Sequence, residues 1–212
     1  MVNPGTNLSI GAQSSASTLI RNDDGAVSLT VDQASILEGS SGTSTLLTYT
    51  ATRTNTDSAS SVDWSLSGVD ATDLVFGQAT SGTLNFAAGA ATATFTIEVL
   101  GDKTIEGDET LLITLANPGV NLSLGNNHSA NTTGVNDDSI VGVQAVTASL
   151  LEGDTGESQT LAFTVTRGAG FGTTSVDWAL SGLDPARFGG TLPTGTVNFA
   201  DGETASTVSF TL

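Results

Sequence analysis

Four carboxylates fall within the nine residues Gly101–Glu109, which read Gly-Asp-Lys-Thr-Ile-Glu-Gly-Asp-Glu. Asp102, Glu106, Asp108 and Glu109 lie between two stretches that alternate apolar and polar residues as β-strands do. Charged side chains make up only 13% of the chain, so this turn is a concentration of them. Such a cluster is either a solvated loop or a site for a hard cation, because Ca2+ takes about six to eight oxygen ligands. The choice depends on whether other carboxylates reach the same place.

Other chemistries find little support. His128 is the only histidine and lies in the polar turn Gly125-Asn-Asn-His128, so no Ser-His-Asp triad can be assembled with the acidic cluster. There is no cysteine, which removes thiolate metal sites, a cysteine nucleophile and a disulfide framework. Paired carboxylates can hydrolyse glycosides, but that needs a cleft lined by aromatics. Aromatics are few, and Trp64 and Trp178 sit at inward strand positions that read as core. Asn-Leu-Ser at Asn7 and Asn121 matches the glycosylation acceptor pattern, which recurs by chance in Asn/Ser-rich chains. The chain reads as non-catalytic.

The net charge is -17 over 212 residues. That balance argues against nucleic acid, whose phosphates need basic partners, and against anionic membrane surfaces. It permits cation binding and keeps an apolar-rich β protein soluble. No apolar run is long enough to span a membrane, and no basic start followed by an apolar run marks a cleavable signal. Thr, Ser, Gly, Ala and Val dominate, which favours strands and turns over helices.

The chain repeats itself. Asn3–Gly5 returns as Asn117–Gly119, Asn22–Asp24 as Asn136–Asp138, Leu37–Gly39 as Leu151–Gly153, and Ser61–Trp64 as Ser175–Trp178, each 114 residues on. Gly82–Phe86 returns as Gly195–Phe199 after 113, so a loop has lost one residue. Residues 1–24 then read as the tail of one repeat, 25–138 as a complete repeat, and 139–212 as the start of a third. The final stretch Thr207–Leu212 is matched to Ala93–Glu98, which leaves the third repeat without an acidic turn.

Alternation within the complete repeat predicts strands at Val27–Val31, Leu46–Thr54, Val62–Leu66, Leu84–Phe86, Ala93–Val99, Glu109–Leu115 and, weakly, Asn131–Val135. Seven short strands separated by Gly, Pro and Asn turns predict an all-β chain of tandem immunoglobulin-like antiparallel sandwiches, one complete and two partial. Successive strands run in opposite directions, so the connections after the first, third and fifth strands emerge at one pole with the chain leaving the seventh. Glu38, the pair Asp70 and Asp73, the acidic turn, and Asp137 with Asp138 all lie on those connections. The opposite loops carry only Asp57. Carboxylates so gathered repel one another unless a cation sits among them.

The pattern Leu37–Gly39, Ser67–Leu74, Gly82–Gly89, Gly101–Glu109 and Asn136–Asp138 resembles the Calx-beta repeat family over the whole chain. The resemblance implies a β-sandwich that binds Ca2+ at one pole, with Glu38, Asp73, Asp102, Glu106, Glu109, Asp137 and Asp138 as ligands and Asp108 in the turn. Members richer in acid carry Asp where this chain has Gly101 and Asn136, which points to one or two ions here. Arg187 stands where Asp73 stood, so the third repeat is expected to hold no competent site.

The functional expectation is a Ca2+-stiffened module of a large extracellular or cell-surface, adhesin-like bacterial protein. Its partners would be neighbouring repeats of the same chain, with cell-surface proteins or glycans as further ligands. The rival readings are a calcium-sensing regulatory domain of a membrane protein and an accessory domain beside an enzyme.

Overall fold

A computed structural model describes residues 5–13, 15–151, 154 and 156–211. The first body of strands comprises β1 (Gly25–Val31), β2 (Ser35–Leu37), β3 (Ser44–Arg53), β4 (Ser60–Ser67), β5 (Ser81–Phe86), β6 (Thr92–Leu100), β7 (Glu109–Ala116), β8 (Leu122–Leu124) and β9 (Ser129–Val135). They form two sheets, in the orders β6-β3-β1-β8 and β2-β9-β7-β4-β5. A 3-10 turn, Ala71–Asp73, lies between β4 and β5.

Period-two patterning drives this arrangement. Leu47, Tyr49 and Ala51 on β3 are fully buried, and so are Val62 on β4 and Ile97 on β6. Leu111, Ile113 and Leu115 on β7 complete the layer between the sheets. Burying each such side chain contributes roughly 1.5–3 kcal/mol. With no disulfide beneath it, Trp64 stacks on Phe95 at 4.2 Å between centroids, and Phe95 in turn stacks on Tyr49 at 5.3 Å.

Two features escape the alternation pattern. Where one strand is expected before β3 there are two: β1 pairs with β3, and the chain then crosses to the other sheet, where β2 pairs in parallel with β9. Thr132, fully buried, donates its hydroxyl to Gln33 O at 2.7 Å and fixes the crossing. The second is β8, three residues that add in parallel to β1. Neither short segment carries an alternation of its own. β5 pairs with β4 rather than β6, so β5 and β6 are edge strands of different sheets.

The described residues from 141 to 211 form a second, thinner body. β10 (Val141–Ala145), β11 (Thr160–Arg167) and β14 (Ala205–Thr211) make one sheet, and β12 (Thr174–Ala179) with β13 (Thr194–Phe199) makes a hairpin. A 3-10 turn, Pro185–Phe188, follows β12. Register refines the sequence match here. Val208 lies opposite Phe163 on β11 as Phe95 lies opposite Tyr49 on β3, so the shift at this strand is 113, and Thr207 aligns with Thr94 rather than Ala93.

One buried residue of each body has no place in the sequence reading. Arg53, 4% exposed, donates to Ala90 O, Ser58 O and Ala87 O at 2.7–2.8 Å and lies over the Phe86 ring at 5.1 Å. Arg167 repeats the arrangement over Phe199, with bonds to Glu203 O, Phe171 O and Ala200 O. A planar guanidinium with five donors suits a ring of carbonyls, and in the first body it ties together the loops opposite the acidic pole.

Candidate metal centre

The parity of the strands gathers the carboxylates. Glu38 follows β2, Asp73 ends the first 3-10 turn, Asp102 and Glu106 lie on the β6–β7 connection, and Glu109 opens β7. Glu38, Asp73 and Asp102 each offer a carboxylate oxygen, and those oxygens lie within 4.8 Å of one another. Asp73, Glu106 and Glu109 form a second such group, so Asp73 belongs to both. A cavity of about 20 Å³ sits between Glu38, Asp73, Glu106 and Glu109, with Val69 and Leu111 as its floor. That is room for a single small occupant.

Local structure sets each ligand. Asp70 caps the 3-10 turn, accepting from Thr72 N at 3.3 Å, and the turn carries Asp73 inward to 6% exposure. Gly68 has φ +84°, and a Cβ there would stand 2.2 Å from Thr110 O, so glycine alone lets this loop lie against β7. Asp102 accepts from Thr104 N and, at 3.0 Å, from Thr104 Oγ1, which shapes the start of the acidic turn. Glu109 Oε2 accepts from Asp70 N at 3.3 Å.

Asp137, Asp108 and Asn136 build the frame around them. Asp137 Oδ1 accepts from Gly39 N at 2.9 Å and thereby ties the chain leaving β9 to the segment carrying Glu38. Asp108 Oδ1 accepts from Asn136 N at 3.2 Å, while Asn136 Nδ2 donates to Glu106 O at 2.8 Å. Asp138 N donates to Asn136 Oδ1 at 2.9 Å. Asp137 and Asp138 belong to neither carboxylate group among the described residues. Asn136 and Gly101 thus have their own duties. Asn136 bridges the acidic turn to the exit segment, and a Cβ on Gly101 would meet the Gly39 carbonyl at 2.5 Å.

The electrostatics are those of a site short of positive charge. Glu38 Oε1, Asp73 Oδ2 and Asp138 Oδ2 are buried with no hydrogen-bond partner. An unpartnered buried carboxylate oxygen is costly, and a cation supplies the missing partner. Burial pushes Glu38 up to about 7, helped by the charges of Asp102, Asp73, Glu106 and Asp138. The charge of Asp73 is the largest influence raising Glu106, and burial the largest raising Glu109. Burial and then Asp137 raise Asp138, which Lys103 partly offsets. The donor set is all oxygen, which suits Ca2+ or Mg2+ rather than a thiophilic metal.

In the second body, Asp184 caps its 3-10 turn through Ala186 N at 3.0 Å, as Asp70 does, but Arg187 occupies the place of Asp73. Glu152 lies outside the described residues. No carboxylate group of ligand spacing forms there among the described residues.

The raised carboxylates give a pH dependence with a defined sign. Between the unfolded value of 4.5 and the folded value of about 7, the metal-free folded state holds more protons at Glu38 than the unfolded state. Metal-free stability is therefore greatest below that window and falls as pH rises through it. Cation binding runs the other way, because the ligand must be ionised: affinity weakens by about tenfold per unit below pH 7 from this group alone. Calorimetric titrations between pH 6 and 8 check this, and an affinity independent of pH would remove Glu38 from the ligand set.

Sandwich and acidic pole together define a β-module shaped to hold a hard divalent cation at one end. The Calx-beta domain model matches residues 21–139, more than half of the chain, and the chain belongs to the Calx-beta family. Domains of this family bind Ca2+. Among solved structures, the chain is similar to CBD12 from CALX1.2 at 20% identity, covering 85% of this chain and 74% of that one, with a TM-score of 0.47. It is similar to the calcium binding domain CBD12 of CALX1.1 at 20% identity, covering 86% and 74%, with a TM-score of 0.46. It is also similar to the apo-form Calx CBD1 domain at 23% identity, covering 53% and 99%, with a TM-score of 0.44. No curated protein sequence matches it.

Proposed function

We propose that the protein is a calcium-binding structural repeat module in which Ca2+ at the acidic pole stiffens the junction with the next repeat. The observation that carries this is the set of buried, unpartnered oxygens on Glu38, Asp73 and Asp138, on the segments that meet where the chain leaves the sandwich. Glu38, Asp73, Asp102, Glu106 and Glu109 would hold the ion. Asp137 and Asp138 extend the negative field into the connection between β9 and β10. The ion supplies charge neutralisation; the carboxylates position it, and the hydrogen bonds of Asn136 and Asp137 pass its ordering to the exit segment.

That segment is short, running from Val135 at the end of β9 to Val141 at the start of β10. A polar cleft of about 310 Å³ separates Asp137, Asp138 and Ser139 from Arg167, Gly172 and Thr174. Without a cation, the acidic pole repels itself beside this hinge. Residues 1–24, 25–138 and 139–212 are read as portions of successive repeats in a rod. The acidic, cysteine-free, Thr/Gly-rich composition supports an extracellular or cell-surface setting for it, as in a bacterial adhesin.

Small-angle scattering of the full chain with Ca2+ and with chelator tests the stiffening. The maximum dimension rises and its distribution narrows when Ca2+ is added. Identical scattering in both states, with binding shown independently, would separate ion binding from any role at the junction.

A further inference from the structure

The Asn-Leu-Ser stretch Asn121–Ser123 grips the segment that enters the first body. Asn121 is held at φ +60°, a conformation that asparagine adopts more readily than most residues. Its Nδ2 donates to Asp23 Oδ2 at 2.7 Å, and its carbonyl accepts from Gly25 N at 3.0 Å. Ser123 Oγ donates to Gly25 O at 3.0 Å, and Leu122 between them pairs in parallel with Gly25. From the β3–β4 connection, Asn55 Nδ2 donates to Asn22 O at 3.1 Å. A Cβ on Gly25 would stand 3.0 Å from Asn55 N, so the glycine sets how closely the segment seats. The bound stretch is Asn22-Asp-Asp24 and the glycine that follows it.

Both stretches recur at the repeat distance. Asn7–Ser9 matches Asn121–Ser123, and Asn7 has the same left-handed φ, +69°. Asn22–Asp24 matches Asn136–Asp138, and the two copies fold alike: Asp24 N donates to Asn22 Oδ1 at 3.2 Å, as Asp138 N does to Asn136 Oδ1 at 2.9 Å. The middle aspartate is used in opposite directions. Asp23 Oδ2 bonds forward to the sandwich it enters, whereas Asp137 Oδ1 bonds back to Gly39 N of the sandwich it leaves. The two bonds use different carboxylate oxygens, so one aspartate has room for both.

We propose that the Asn-Leu-Ser turn is the docking surface of each sandwich for the Asn-Asp-Asp segment of the repeat before it, with the middle aspartate clamping the two together. This rests on the reading of the chain as successive repeats, but not on a cation. The donors of Asn55, Asn121 and Ser123 are neutral, and an amide donating to a carboxylate makes a strong bond without an ion. The clamp also selects neighbours, because it needs side-chain amides on the receiving turns and a glycine after the acidic pair. In the second body Ala169 and Ser139 stand at the positions of Asn55 and Gly25. The entry to the first body is therefore fastened by hydrogen bonds, while the entry to the second is left to the ion beside Asp137 and Asp138.

Amide hydrogen exchange of the full chain tests the clamp, read at Gly25, with Ile97 in the core of β6 as reference. Asn121→Asp keeps the left-handed turn and sets two carboxylates against each other. The exchange of Asp23→Asn into that variant restores an amide-to-carboxylate pair with its ends swapped. Gly25 exchange is expected to speed up about tenfold or more in Asn121→Asp, as loss of a hydrogen bond to a charged group requires, with Ile97 unchanged. The swapped double variant returns Gly25 to within about threefold of the native rate, and chelator and Ca2+ give the same native rate. Unchanged Gly25 exchange in Asn121→Asp, a double variant no slower than the single one, equal acceleration at Ile97, or a native rate that depends on Ca2+ overturns the clamp. Scattering with and without Ca2+ reads the other joint, so either account can fail while the other stands.

Discussion

Asp73→Asn abolishes saturable Ca2+ binding at the acidic pole and at the same time raises the melting temperature of the metal-free protein. Asp73 is 6% exposed, belongs to both carboxylate groups, and holds an oxygen with no donor. Its charge raises Glu38, Glu106 and Glu109, so it is a source of strain for every neighbour when no ion is present. The amide keeps the shape, removes the charge and adds a donor among acceptors. Losing a shared ligand weakens binding by at least about a hundredfold, or roughly 3 kcal/mol. Asp70→Asn serves as the comparison, since exposed Asp70 caps the 3-10 turn and lies in neither group; it changes affinity by less than about threefold, in line with its cap surviving as Asn. Titration and melting of both variants check the pair of effects. Retained affinity in Asp73→Asn, or a lower metal-free melting temperature, contradicts the assignment.

Calcium raises the melting temperature of the complete sandwich by roughly 15–30 °C when free Ca2+ is about a thousandfold above the dissociation constant. Binding to the folded state alone contributes about 4 kcal/mol at that ratio. For a domain near 100 residues, each kcal/mol moves the midpoint by roughly 4–8 °C. The effect confines itself to residues 25–138, because the second body places Arg187 where Asp73 stands. Calorimetric melting with Ca2+ and then with chelator reads both transitions. A shift shared equally by the two bodies, or a shift under about 2 °C at saturation, does not fit an ion bound between Glu38, Asp73 and Asp102.

Alternation carried most of the sandwich in the sequence, because each long strand buries one face and wets the other. Leu47, Tyr49 and Ala51 on β3 and Leu111, Ile113 and Leu115 on β7 are legible for that reason. β2 and β8 are not, since three residues cannot show a period, and the crossing at Gln33 is fixed by a distant hydroxyl on Thr132. The acidic pole is legible because turn carboxylates plus strand parity place four segments together. The internal division of labour is not. Asp73 is buried by a 3-10 turn, Asp108 and Asp137 each accept from a backbone amide, and Asn136 and Gly101 serve contacts that no spacing reveals. Arg53 and Arg167 did leave a signal. The chain has five basic residues, and two of them recur at the repeat distance before the same kind of loop.

The claim on which the rest depends is that the acidic pole binds Ca2+ through its own carboxylates. Calorimetric Ca2+ titration of the full chain at pH 8, beside a variant carrying Asp102→Asn and Glu106→Gln, measures it most directly. The account predicts saturable binding of one or two ions per chain in the native protein and its loss in the variant, with folding unimpaired. An absence of binding at millimolar Ca2+, or unchanged binding in the variant, would contradict it and leave the pole a solvated turn on a spacer held by its core alone.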